Sequence, residues 1–204
     1  IKELLEGNIY DFKPLSSDDA VVLVRKRIGD IPLLSDEIIK KIYAVDKNPK
    51  DLKAREGLML AATLGGLAFS NASICLVHGM SRPLGSNFKV PHGLSNAMLL
   101  PDVTKFSINH AKSRYADCSR AGEFALPEDS DDVACEKLIK GLYKINKDFE
   151  VPSMKDFGIN EKNFEDELKN MATDAENSGA PNLNPRVPSV NEMVDIYRQA
   201  WRAF

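Results

Sequence analysis

Two of the chain's three histidines, His78 and His92, lie fourteen residues apart, each among turn-forming neighbours. The first opens His78-Gly79-Met80-Ser81-Arg82-Pro83-Leu84-Gly85. The second sits in Val90-Pro91-His92-Gly93-Leu94-Ser95-Asn96-Ala97-Met98-Leu99-Leu100-Pro101. Neutral imidazole is the commonest protein ligand for a catalytic divalent metal, and a helix end beside a Gly/Pro-rich loop lets it face a cleft. Fourteen residues are too many for one helix face, so the pair meets only if the chain turns back. Pro83, Gly85 and Pro91 are expected to supply that turn, because the residue before a proline is biased away from helix. The competing reading makes each histidine an ordinary polar residue at a helix end, interacting with the helix dipole. Spacing alone leaves both open.

Two further residues extend the chemistry. Cys75 precedes His78 by three, which places both on one face if the helix is continuous; with His92 they would form a Cys-His-His zinc set. A cysteine so placed can equally be a small buried hydrophobe. Arg82 cannot relay a proton at neutral pH, because a guanidinium keeps its charge, but its fork can clamp a carboxylate or phosphate. Arg82 is therefore expected to bias the site toward an anionic or strongly polar substrate, unless it simply pairs with a surface carboxylate. His110, in an Asn-His-Ala turn, is given no ligand role. Asn182, Asn184 and Arg186 read as loop chemistry in a proline-rich turn.

The elements that must position these residues are helical. Ser17-Asp18-Asp19 reads as an N-cap opening a helix to about Ile28, and Ser35-Asp36-Glu37 opens another through Tyr43. Leu52 to Val77 reads as one long central helix, uncharged from Leu58 onward. That stretch is long enough to span a bilayer, yet it carries Thr63, Ser70, Asn71 and Ser73, has Gly65-Gly66 at its middle and lacks an aromatic belt. A buried core helix is the expectation. Pro91 belongs in the first turn of the next helix, where its missing N–H costs nothing, and that helix continues past Pro101, which is expected to kink it. Further helices are expected over Ala111 to Phe124, Asp131 to Asp148, Asn160 to Met171 and Val190 to Phe204. Ser189 and Glu192 form a capping box for the last. Alternating apolar runs are short, so strands are not expected. The fold class is all-α, a helical bundle over residues 1–204.

Bulk properties exclude several functions. With 27 Lys and Arg against 30 Asp and Glu, and no long block of either, nucleic-acid binding has no electrostatic support. Three scattered cysteines, Cys75, Cys118 and Cys135, argue for reduced thiols in a cytoplasmic protein rather than a disulfide framework. No membrane association is expected.

The histidine stretches closely resemble the signature of the iron-containing (group III) alcohol dehydrogenases. The resemblance extends upstream through Ala54-Arg55-Glu56 and Gly66-Leu67-Ala68-Phe69-Ser70-Asn71-Ala72. Downstream it takes in Arg114-Tyr115-Ala116, Asn184-Pro185-Arg186-Val187-Pro188 and Tyr197-Arg198-Gln199-Ala200-Trp201. It implies that His78 and His92 bind the metal, Fe²⁺ or sometimes Zn²⁺, from a helical C-terminal domain. The family's other two ligands, an aspartate and a histidine four residues later, have no counterpart here. Many members carry a third histidine where this chain has Arg82, close to the hydride-transfer region.

The chain thus looks like the carboxy-terminal helical half of such an enzyme. Residues 1–50 fit poorly, and the N-terminal domain that would bind NAD(P) is missing. The resemblance implies a small alcohol or carbonyl substrate and a homo-oligomer, with the isolated chain inactive. Two alternatives stand beside the alcohol dehydrogenase reading. One is a reductase or transhydrogenase of hydroxy or oxo acids, and the other a non-catalytic helical interaction module.

Overall fold

The computed structural model describes residue 45 and residues 48–201. The helices expected over Ser17–Ile28 and Ser35–Tyr43 lie outside the described residues. Seven α-helices follow: α1 (Leu52–Ala72), α2 (Leu76–Phe88), α3 (His92–Ser107), α4 (Lys112–Ala121), α5 (Asp131–Asp148), α6 (Glu161–Asn177) and α7 (Val190–Trp201). Short 3₁₀ turns at Ile108–His110 and Ala180–Leu183 complete the order, and no strand occurs among the described residues. The fold is all-α, as expected. No helix among those residues is long and apolar enough to cross a membrane.

One hydrophobic core joins α2, α3, α6 and α7. Leu76, Met80 and Leu84 of α2 are fully buried against Met98 and Leu99 of α3, Phe164 and Met171 of α6, and Met193 and Tyr197 of α7. Leu76, Met80 and Leu84 are spaced by four, the stripe that turns one helix face inward. A smaller cluster around Ala116, Ala134 and Cys135 joins α4 to α5. Lys112–Asp132 and Arg120–Asp131 ion pairs bridge the same two helices. The cap signals hold. Ser130 caps α5, Asn160 caps α6, and the backbone N–H groups of Ser189 and Glu192 donate reciprocally to each other's side chains ahead of α7.

The long central helix needs two corrections. It does not run to Val77. α1 stops at Ala72, Ser73 takes φ 66°, and α2 begins afresh at Leu76. A non-glycine residue at positive φ interrupts the helical ladder, which apolar composition could not reveal. Nor is α1 a core helix. Ala54 is its one buried residue among those whose burial is described, and Leu52, Met59, Leu60 and Leu67 are 55–79% exposed. Its polar side chains turn inward on their own helix: Thr63 donates to the Met59 carbonyl, Ser70 to Gly66 and Asn71 to Leu67.

Candidate metal and substrate site

The break after α1 places His78 in the first turn of α2, not at the end of a long helix. The turn back toward His92 also differs from expectation. Pro83 and Gly85 are both helical, and Pro83 is buried within α2. A proline there forgoes a single backbone bond, that to the Gly79 carbonyl, while Met80 and Leu84 on either side are fully buried. The reversal comes only at Lys89, which takes the left-handed conformation (φ 58°) and donates its N–H to Gly85 O at 3.1 Å. Pro91, at φ −56° and ψ 141°, then runs extended into α3. From His78 to Phe88 the helix advances about 15 Å. The four-residue return to His92 can span at most about 14 Å, and the reach of the two side chains closes what remains.

The outcome is that the two imidazoles meet. Their ring centroids are 5.2 Å apart, inclined by 51°. Two imidazoles bound to one tetrahedral cation, with metal–nitrogen distances near 2 Å, place their centroids about 5 Å apart. The observed separation matches that of two imidazoles sharing one divalent ion. His78 is half-buried and its proton affinity is lowered, first by burial and then by the positive charges of His92 and Arg82. That favours the neutral form, the one that binds a metal. His92 is exposed at the first position of α3.

The side-chain amide of Asn96, four residues further along α3, lies 3.1 Å from His92 Nε2. As placed, the amide nitrogen donates to the Nε2 lone pair; turned end for end, the amide would accept from Nε2–H through Oδ1 and orient the ring with Nδ1 free to ligate. The Asn96 Oδ1 is itself buried without a partner among the described residues. Sequence reasoning missed Asn96, although its spacing of four from His92 was the available signal.

Cys75 does not join the pair. Among the described residues no three His, Cys, Asp or Glu side chains are placed to hold a metal ion. The Cys75 thiol instead donates to the Leu183 carbonyl at 3.3 Å, and burial pushes its pKa up, away from the thiolate that zinc requires. The Cys-His-His set failed because it assumed one helix through a position where α2 starts.

Arg82 stands one helical turn after His78, exposed and without an ion pair among the described residues. His110 is exposed in its 3₁₀ turn. Asn184 and Arg186 are structural. Buried Asn184 donates to Ser107 Oγ (2.9 Å) and to the Arg186 carbonyl (2.7 Å), while Arg186 stacks over Phe106 and pairs with Glu192. Asn182 is exposed.

The second side of the site is held by close contacts. Gly79 lets α2 approach the Ala180–Leu183 turn, since a Cβ there would lie 3.1 Å from Pro181 Cδ. Tyr197 of α7, fully buried, donates its hydroxyl to the Met80 carbonyl at 2.6 Å. These two contacts fix the start of α2, and with it His78.

Residues 35–201 match the model of the Fe-containing alcohol dehydrogenase family, C-terminal region. The chain belongs to that family, and the match begins upstream of Ala54, within the segment that resembled it least. It is 34% identical over 156 residues to the 1,3-propanediol dehydrogenase of Citrobacter freundii, covering 74% of this chain and 38% of that protein. It is 30% identical to the bifunctional aldehyde-alcohol dehydrogenase of Escherichia coli K12, over 81% of this chain and 20% of that protein. A solved 1,3-propanediol oxidoreductase superposes with TM-score 0.77 at 29% identity, covering 92% of this chain and 46% of that one. The iron-containing alcohol dehydrogenase of Thermococcus thioreducens gives 0.71 at 28% identity, covering 93% and 46%. The chain spans less than half the length of each of these relatives.

Proposed function

We propose that this chain is the metal- and substrate-binding half of an NAD(P)-dependent oxidoreductase that interconverts a small alcohol with an aldehyde or ketone. The observation that carries the reading is the 5.2 Å approach of the His78 and His92 rings within a family-matched helical domain. His78 and His92 are two ligands of a divalent cation, Fe²⁺ or Zn²⁺. Two imidazoles leave at least two positions unfilled; the remaining protein donors would come from an earlier helix, and the nicotinamide from a nucleotide-binding domain. When bound, the cation supplies Lewis acidity toward the substrate oxygen.

The residues described here bind and orient. His78 offers a lone pair because burial and its positive neighbours disfavour protonation. Asn96 holds the exposed His92 ring against rotation. Tyr197 and Gly79 hold the first turn of α2 in register with the Ala180–Leu183 turn. None of these groups moves a hydride, so the chain alone is inactive.

Titration of the full 204-residue chain with Zn²⁺, or anaerobically with Fe²⁺, tests the reading. Weak binding that disappears in His78→Ala and in His92→Ala is expected, with no turnover of alcohol and NAD⁺. Identical metal binding by wild type and both variants would remove the histidine pair from the site. Turnover by the isolated chain would overturn its assignment as half of an active unit.

A further inference from the structure

Arg82 holds no other part of the fold by an ion pair among the described residues. It is exposed, and no carboxylate pairs with it among the described residues, although nine other ion pairs are made across the same molecule. Its surroundings make this more telling. α2 contains no acidic residue, and none occurs in His92 to Met98 at the start of α3. Arg82 is the one fixed positive charge among the groups that act on His78. A cation on the imidazole pair would add to that field. The site is thus an electropositive spot with no counter-charge of its own among the described residues.

Position defines what the missing counter-charge must be. Residues four apart on a helix have Cβ atoms about 6 Å apart and lie on one face. The Arg82 fork therefore reaches groups one or two bonds from an atom held at His78. We infer that Arg82 is a specificity-determining residue that receives a carboxylate carried next to the reacting carbon, so that the favoured substrates are small hydroxy acids and their oxo-acid products. The inference rests on the His78–His92 site proposed above, and it narrows the substrate from alcohols in general to anionic ones. A guanidinium suits this task because its parallel N–H groups engage both carboxylate oxygens at once, and it stays charged throughout turnover.

The test uses the full chain, metal-free, with the Arg82 Nε–H resonance followed by NMR. The probes are lactate, its neutral analogue 1,2-propanediol, and inorganic phosphate. Lactate should bind about tenfold or more tightly than propanediol, in line with a charge-assisted hydrogen bond. The preference should vanish in Arg82→Gln and survive in part in Arg82→Lys. Equal binding of lactate and propanediol, or a preference unchanged in Arg82→Gln, would overturn the inference. Phosphate competing as well as lactate would also overturn it, since the site would then read charge alone. His78→Ala separates the two readings. It should abolish Zn²⁺ binding while leaving the lactate shift at Arg82, so metal binding can fail independently of carboxylate recognition.

Discussion

α1 and α2 are consecutive, separated by three residues, and have opposite fates. α1 is the more apolar helix, yet Leu52, Met59, Leu60 and Leu67 face outward. α2 carries a histidine, an arginine, two glycines and a proline, yet it lies at the centre of the core. The difference lies in arrangement. α2 concentrates Leu76, Met80 and Leu84 on one fully buried stripe, while the less exposed stripe of α1 is made largely of small residues, Ala54, Ala61 and Ala68 among them, with Leu58 and Leu64 only half-buried. Burial follows complementarity, and complementarity is what keeps His78 in place.

The largest expected contrast comes from truncating one leucine in each helix. Leu84→Ala removes a fully buried side chain from the α2 stripe and should cost about 2–5 kcal/mol of unfolding free energy. A denaturant midpoint that barely moves would mean α2 is not the keystone of the core. Gly79→Ala is expected to cost about 1–3 kcal/mol, because the new methyl meets the Pro181 ring at 3.1 Å across a tightly packed approach. Since Gly79 adjoins His78, the same variant should weaken metal binding, read by Zn²⁺ titration. Tyr197→Phe should lose about 1 kcal/mol by removing the hydroxyl that meets the Met80 carbonyl.

Asp102 provides a pH-dependent probe away from the histidines. It is buried on α3, accepts the Tyr143 hydroxyl at 2.7 Å through Oδ1, and leaves Oδ2 without a partner among the described residues. Burial raises its pKa, outweighing the opposing effects of Tyr143 and Lys105. The folded state therefore holds this proton more tightly than the unfolded chain does. Its contribution is most favourable below the ordinary carboxylate value and is lost as pH rises through the raised one. Asp102→Asn should flatten that part of the stability–pH curve and raise stability at neutral pH by about 1 kcal/mol. Thermal melts across pH would show the change, and a curve that keeps its slope would assign it to other groups.

The sequence carried the helical class, the starts of α5, α6 and α7, and the two histidines. Caps, stripes and the Pro-His-Gly turn act over a few residues, and local chemistry of that kind is legible without a fold. Three features were not. The interruption at Ser73 depends on a backbone conformation that no residue type there announces. The helix through Pro83 depends on the burial of Met80 and Leu84, a tertiary term that overrides the local preference of proline. The separation of Cys75 from the histidine pair follows from where α2 begins, which decides between the two readings its spacing left open.

The smallest expected effect completes the contrast between the helices. Leu60 is 56% exposed on α1 and Leu67 is 55% exposed, so neither side chain has much contact to lose. Leu60→Ala and Leu67→Glu should each shift unfolding free energy by no more than about 0.5 kcal/mol, the range of ordinary surface substitutions. Their effect should appear instead in solution behaviour, because exposed leucines on one helix favour association and a charge opposes it. Sedimentation at increasing concentration should therefore show less self-association for Leu67→Glu at an unchanged melting midpoint. A loss of several kcal/mol from either variant would show that α1 is packed in solution, and apolar content would then account for both helices after all.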